Sequence, residues 1–445
     1  MNNEIKQDIL LGKVSLDFSN QEHIEFLKEV YFLYTSLSKV YEKMYKYYRG
    51  KTDAIENYKF ITERSNNKVN LNYMKKFIKE ETSYAVGKEL AYESNSGNVN
   101  FIKDINYTIT HWKSNHNSDL MKYLLIFSEI YELYYINDEK DLCAKIIKPT
   151  EGYAFTDEFD NIILFIHAYK QKLTNNTLID VYTDKNIYHF NDKFEEIIEP
   201  TKHVFGRVPV SHGELSFEKE DDTIYSDIKG LQDASETNLS DISNEISDFR
   251  NAYLKFLNAQ IAEDDIQKMK QLGIIQFSNE KGDAEWLIKN INDTFIQNTL
   301  NTFEDKIYQI ACHINANEKM QSNISSLALR ARLNALENKC TLNINSHKDI
   351  IKSRVKFICK YLKIKGKDYD PKDINIKYTI NIPQDDLMTA QILAQVPEGT
   401  ISKETGRAQF SFIPNAIVEG ERVAKEQKEE IDKHPDLPTG GGEDE

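Results

Sequence analysis

The residues that decide the fold run from Lys202 to Leu257: KHVFGRVPVSHGELSFEKEDDTIYSDIKGLQDASETNLSDISNEISDFRNAYLKFL. A proline-bearing strand, Phe205 to Val210, is predicted first, and an acidic turn follows it. A long amphipathic helix then begins near 223. Its apolar positions are Ile224, Ile228, Leu231, Leu239, Ile242, Ile246, Phe249 and Tyr253. Spacings of three, four, seven and eight keep these on one stripe. Asp227, Asp233, Asp241, Asn244 and Asp248 fall on the other side. The pattern predicts a strut packed among neighbours, with one face in water.

Outward from this strut, the N-terminal half starts with a predicted helix over 21–48, stopped by Gly50, and a second over 66–92, stopped by Gly87. A third helical segment covers 101–128. From Tyr131 the period changes to short β-rich runs split by Asn, Asp and Gly, which predicts an antiparallel meander. Beyond the strut, 258–292 reads as a compact insert with a short helix and two strands, one near Glu285–Lys289. An amphipathic helix over 293–314 carries Phe295, Leu300, Phe303, Ile307 and Ile310. A polar break follows, and then a third long helix over about 325–364, whose second half is basic. Residues 374–382 alternate as a strand, a helical module covers 385–431, and the Pro-, Gly- and acid-rich tail from 432 has no apolar anchor.

Bulk composition narrows the function. The chain has 445 residues, 56 basic and 71 acidic, for a net charge of −15. It is long enough for more than one lobe. A clamp gripping nucleic acid over a broad surface would be basic, whereas acidic walls let DNA pass without sticking. Cys143, Cys312, Cys340 and Cys359 are far apart, form no metal-type pair and are expected reduced. No run approaches the ~20 apolar residues of a membrane span, and no signal peptide is expected.

Catalytic patterns are not found. Arg49-Gly50-Lys51-Thr52 is half a phosphate loop, but Tyr45 stands where a glycine is needed and a helix precedes it. The histidines include no metalloprotease pair, and His111 and His116 are expected at the surface or in caps. The acids Glu218, Glu220, Asp221 and Asp222 are better suited to leading into the helix at 223 than to holding Mg²⁺. Neither a metal site nor a cofactor is expected.

The order of these parts resembles bacteriophage portal proteins. The likeness rests on Tyr47-Tyr48-Arg49-Gly50-Lys51, on Asn66 and Asn67, and on Gly87-Lys88-Glu89, where Glu89 replaces a common proline. It rests also on the Asp233/Asn244/Asp248 helix and on Gly399 to Thr405 with Glu419 to Glu430. It implies an α+β, mainly α portal fold: wing over 1–222, stem helix 223–257, clip 258–292 and stem helix 293–314. The tunnel loop would be 315–326, a long wing helix and returning strand 327–384, the crown 385–431, and the disordered tail 432–445. It further implies a homo-oligomeric ring of twelve passing double-stranded DNA without sequence preference, in the virion at the capsid portal vertex after assembly in host cytoplasm. Partners would be the terminase large subunit, the head–tail adaptor, and the major capsid and scaffolding proteins, with no membrane. Twelve helices packed 8–10 Å apart would put their axes at a radius of roughly 19 Å, leaving a lumen near 28 Å.

On that reading Lys319, Gln321, Ser322, Asn323, Ser325 and Arg330 would brush phosphates in the tunnel, sequence-blind and salt-sensitive. Asp241 and Asp248 are candidates for the stem lumen, and Gln267, Lys268, Lys270, Gln271 and Trp286 for partner docking on the clip. The Lys/Arg run at 348–365 reads as a solvated or inter-subunit helix face, the alternative being a surface that meets DNA inside the head. The rival readings are a Mg-dependent DNA-processing enzyme and a helical virion scaffold or adaptor without a pore.

Overall fold

The computed structural model describes residues 3–59, 65–249, 253–258, 281–287, 293–315, 326–380, 386–397, 399–410, 412–413 and 416–433. Helix α1 is Asn3–Leu10 and α2 is Gln21–Tyr48. The Asn20 side chain caps α2 by accepting from the Glu22 amide. The helix stops in a Schellman motif. Lys51 N–H returns to Lys46 O at 2.8 Å, Gly50 N–H returns to Tyr47 O at 2.9 Å, and Gly50 has φ +76°. A Cβ at Gly50 would sit 2.9 Å from Asn70 Oδ1, so both the turn and the close approach require glycine.

The expected helix over 66–92 is shorter: α4 is Tyr73–Val86, after a single turn α3 (Asp53–Asn57) and an extended segment that ends at a left-handed Asn72. The segment predicted over 101–128 is two helices, α5 (Val99–Ile109) and α6 (His116–Phe127). The kink between them is pinned by Trp112, whose indole N–H donates to Leu142 O at 2.8 Å.

The β-rich region forms two sheets rather than one meander. Strand β1 is Ala91–Ser94, β2 is Glu129–Ile136, β3 is Leu142–Ile147 and β4 is Gly152–Thr156. Next come β5 (Ile162–Lys170), β6 (Thr177–Tyr182), β7 (Asn186–Asn191), β8 (Glu196–Lys202) and β9 (Val210–Glu214). Strands β4 to β8 pair antiparallel in chain order; β3, β2 and β9 make the second sheet. One face of the larger sheet packs on α1 and the first half of α2 through Leu164, Ile166, Ile179, Val181 and Phe190. Its other face meets the smaller sheet through Phe165, Tyr182, Tyr131 and Val210.

The proline strand starts later than the sequence implied. Pro209 has no N–H, so it sits at the entry to β9, where its carbonyl accepts from Tyr134 N–H at 2.8 Å.

The strut is α7 (Ile224–Phe249), and it ends before the predicted 257. Tyr253–Leu257 is instead strand β10, paired antiparallel with β11 (Asp283–Leu287), Tyr253 opposite Leu287. A short aromatic and aliphatic run fits either period, and cross-strand pairing decides it here. Helix α8 is Asp293–Ile310 and α9 is Ser326–Ile364. Strand β12 (Ile374–Lys377) pairs with β1, whose strand character the sequence reading missed. Helices α10 (Asp386–Gln395), α11 (Lys403–Arg407) and α12 (Ala416–Lys433) occupy the predicted C-terminal module. The main core joins α2, α4, α5, α6, β2 and α9, with Phe77, Phe127 and Phe357 fully enclosed. The start of α7 reaches it through Ile224 and Ile228.

Candidate functional site

The face of α7 expected to meet water is covered by the chain itself. Gln232, Glu236, Ser240 and Asn244, spaced four apart, are fully buried. The extended segment 65–71 lies along them. Asn67 N–H donates to Asn244 Oδ1 at 2.6 Å, Val69 N–H to Ser240 Oγ at 2.9 Å, and Leu71 N–H to Glu236 Oε1 at 3.1 Å. One step earlier, the Ser65 hydroxyl donates to Asp248 Oδ1 at 2.9 Å. Alternate residues of the extended segment therefore match every fourth residue of the helix. Two extended residues span ~6.7 Å and four helical residues ~6 Å, so the two periods nearly coincide. The result is a ladder in which buried helix side chains replace a neighbouring strand and pair the backbone donors of a segment that is itself only partly covered.

The ladder gathers the motif residues singled out in the sequence. Thr52 of the Arg49-Gly50-Lys51-Thr52 turn is fully buried and donates to Glu236 Oε2. Asn70 bridges Gly50 O at 2.8 Å and Glu236 Oε1 at 3.2 Å. Tyr47 donates to Asp233 Oδ2 at 2.8 Å, while Lys229 pairs with Asp53 at 3.1 Å and Asp233 at 2.9 Å. Burial raises the Tyr47 phenol, and Asp233 reinforces the shift. Asp241 accepts from the Tyr58 hydroxyl at 2.6 Å. Both candidate lumen carboxylates, Asp241 and Asp248, are thus half-buried and engaged by their own chain. Gln232 is next along the stripe; it donates to Glu236 Oε1 at 3.1 Å, and its Oε1 has no partner among the described residues.

A second cluster holds the two helices that flank the polar break. Glu81 of α4, 1 % exposed, accepts from His313 Nε2 at 3.1 Å, from Lys339 Nζ at 3.2 Å and from Asn343 Nδ2 at 2.8 Å. His313 Nδ1 lies 2.8 Å from Glu80, and its ring stacks on Phe77 at 4.3 Å. The last turn after α8 and the body of α9 are therefore fixed to α4. Lys319, Gln321, Ser322, Asn323 and Ser325 lie outside the described residues, as do Gln267, Lys268, Lys270 and Gln271. Arg330 is on α9 and Trp286 on β11, with their side chains outside the described set.

The basic run on α9 is not simply a solvated face. Arg354 is 1 % exposed and forks onto Glu132, Nε to Oε2 at 3.0 Å and Nη2 to Oε1 at 2.7 Å. His116 Nε2 lies 2.6 Å from the same carboxylate, so this histidine belongs to a buried network and not to the surface. Burial would raise the Glu132 carboxyl, but Arg354 and His116 overcome it and hold the group well below the usual range. Lys360 donates to Phe205 O at 2.5 Å, and Lys352 and Lys363 pair within the chain. Among the described residues no group of three His, Cys, Asp or Glu converges as a metal site, and no helix is long and apolar enough to cross a membrane.

The helical strut, its polar rungs, two sheets and a long returning helix set the architecture, and comparison with known proteins gives its class. The family described as phage portal protein, SPP1 Gp6-like, matches residues 35–433. The chain belongs to this family of structural virion proteins. It is 22 % identical over 414 residues to the portal protein of Bacillus phage SPP1, covering 86 % of this chain and 80 % of that one. Among solved structures, it is similar to a chain from the neck of an empty gene transfer agent particle. That match has 10 % identity and a TM-score of 0.48, over 78 % of this chain and 90 % of the other. A chain from a native gene transfer agent virion gives 10 % and 0.45, over 75 % and 87 %.

Proposed function

We propose that copies of this chain close into a twelve-membered ring at the capsid portal vertex, through which double-stranded DNA enters during packaging and leaves at ejection. Family membership across residues 35–433 is the observation that carries this reading. Helices α7 and α8 are the channel wall, with Asp241 and Asp248 as half-buried anions on it. The break at 315–326 is the tunnel loop, in which Lys319, Gln321, Ser322, Asn323 and Ser325, with Arg330, touch phosphates only. Such contacts are weak and salt-dependent, which suits sliding. The clip, 258–292, docks the terminase large subunit and later the head–tail adaptor, with Gln267, Lys268, Lys270, Gln271 and Trp286 as contacts. Major capsid and scaffolding proteins surround the ring, which assembles in host cytoplasm and ends in the virion. The chain itself is not an enzyme; the motor is a partner.

Negative-stain microscopy of purified protein tests the ring: annular particles with a central hole are expected, and solely monomeric particles at high concentration would exclude it. Lys319→Glu is expected to leave rings intact and lower the DNA packaged per head. Unchanged DNA content would remove the tunnel assignment.

A further inference from the structure

We propose that Phe217 is an anchor that seats in a lysine-rimmed apolar groove on the next copy of the chain, an inference that rests on the ring reading. Phe217 is 88 % exposed, yet it stands on a fixed turn. Ser216 Oγ accepts from Glu218 N–H at 3.2 Å, Leu215 N–H donates to Ser128 O at 2.8 Å, and Ser346 Oγ donates to Leu215 O at 3.1 Å. An aromatic side chain held outward on a rigid support loses little freedom on docking, and anchors of this kind dominate interfaces. Glu218, Glu220, Asp221 and Asp222 follow it in the chain, interrupted by Lys219, and none of these four acids has an ion pair among the described residues.

The complementary surface lies on α4. A shallow, open depression of about 380 Å³ is lined by Tyr84, Ile314, Leu333 and Leu336, with Glu80 and His313 on its polar side. Lys79 borders both it and an adjoining depression of about 420 Å³ that Lys75 and Lys76 also line. Lys76 is spent on Glu80 at 2.5 Å, whereas Lys75 and Lys79 have no ion pair among the described residues. Apolar slot and free cations thus mirror aromatic knob and free anions. Each copy carries both halves, so under the ring reading the contact repeats head-to-tail from one copy to the next.

Sedimentation velocity of the full chain tests this against concentration. Phe217→Ala is expected to raise the concentration for half-assembly at least tenfold. Charge reversal at Glu218 and Asp221 to Lys, or at Lys75 and Lys79 to Glu, is expected to do the same. Combining both reversals in one chain is expected to restore assembly. Circular dichroism confirms that each variant folds, and Phe217→Ala, at an exposed site, guards against failure of the α4 variants. If wild type assembles and the single-sided variants assemble equally well, or the combined variant is not restored, the contact is wrong while the ring stands. If wild type never assembles, the ring reading falls instead.

Discussion

Asn244→Ala tests the polar ladder most directly. The Asn244 amide accepts from Asn67 N–H and donates to Asn67 O at 2.9 Å and to the Tyr58 hydroxyl at 2.9 Å. Tyr58 keeps Asp241, so its hydroxyl is not stranded. The Asn67 amide and carbonyl lose two hydrogen bonds on a residue that is itself exposed, worth about 0.5–1.5 kcal/mol each. A local loss of about 2 kcal/mol corresponds to ~30-fold in an opening equilibrium. Residue-resolved hydrogen exchange should therefore show the Asn67 amide exchanging roughly 30-fold faster, with Val69 and Leu71 following to a lesser degree because their acceptors remain. Ser240→Ala removes a single acceptor and should centre the effect on Val69. If Asn67 exchanged at the wild-type rate in a folded Asn244→Ala protein, the side-chain ladder would not be what holds the segment.

Other outcomes follow from the packing and from buried charge. Glu132→Gln leaves the Arg354 guanidinium buried without its counter-charge and should lower stability by about 3–5 kcal/mol, read as a urea midpoint shift. Burial pushes the His167 and His347 imidazoles down to about 3, in the latter case with help from Arg354. Their unfolded forms protonate near 6.5, the ordinary value for histidine, so the stability they contribute is full above that value and is lost as pH falls toward 3. Replacing each by Gln should flatten the pH dependence of the unfolding midpoint in that window. A Cβ on Gly213 would lie 2.1 Å from Ile350 Cδ1, so Gly213→Ala should cost about 1–3 kcal/mol by overpacking. Gly230→Ala meets open space on α7 and should stabilise by about 0.5–1 kcal/mol in the same melt.

Periodicity made the long elements legible: α2 runs over the predicted 21–48, and α9 begins and ends within a residue or so of its prediction. What it missed was context. The polar side of α7 looks like a solvent face because Gln, Glu, Ser and Asn face water in most helices. Here they serve backbone amides some 170 residues away, and a helical period carries no sign of that partner. A four-residue spacing of side chains that can accept hydrogen bonds, set against the Asn-rich 66–72, was the available signal. Arg354 was grouped with surface lysines because the carboxylate that draws it inward lies 222 residues earlier. Pairing likewise settled Tyr253–Leu257, where the local sequence suits helix and strand alike.

The near match between the two periods along α7 constrains how these segments can change length. Losing one residue from 65–71 would turn the backbone groups beyond the gap away from the helix, and losing one from α7 would rotate its rungs by about 100°. Only paired edits, two residues on the extended side for four on the helix, conserve the fit. Relatives that lengthened or shortened the strut should bear insertions and deletions in that two-to-four ratio.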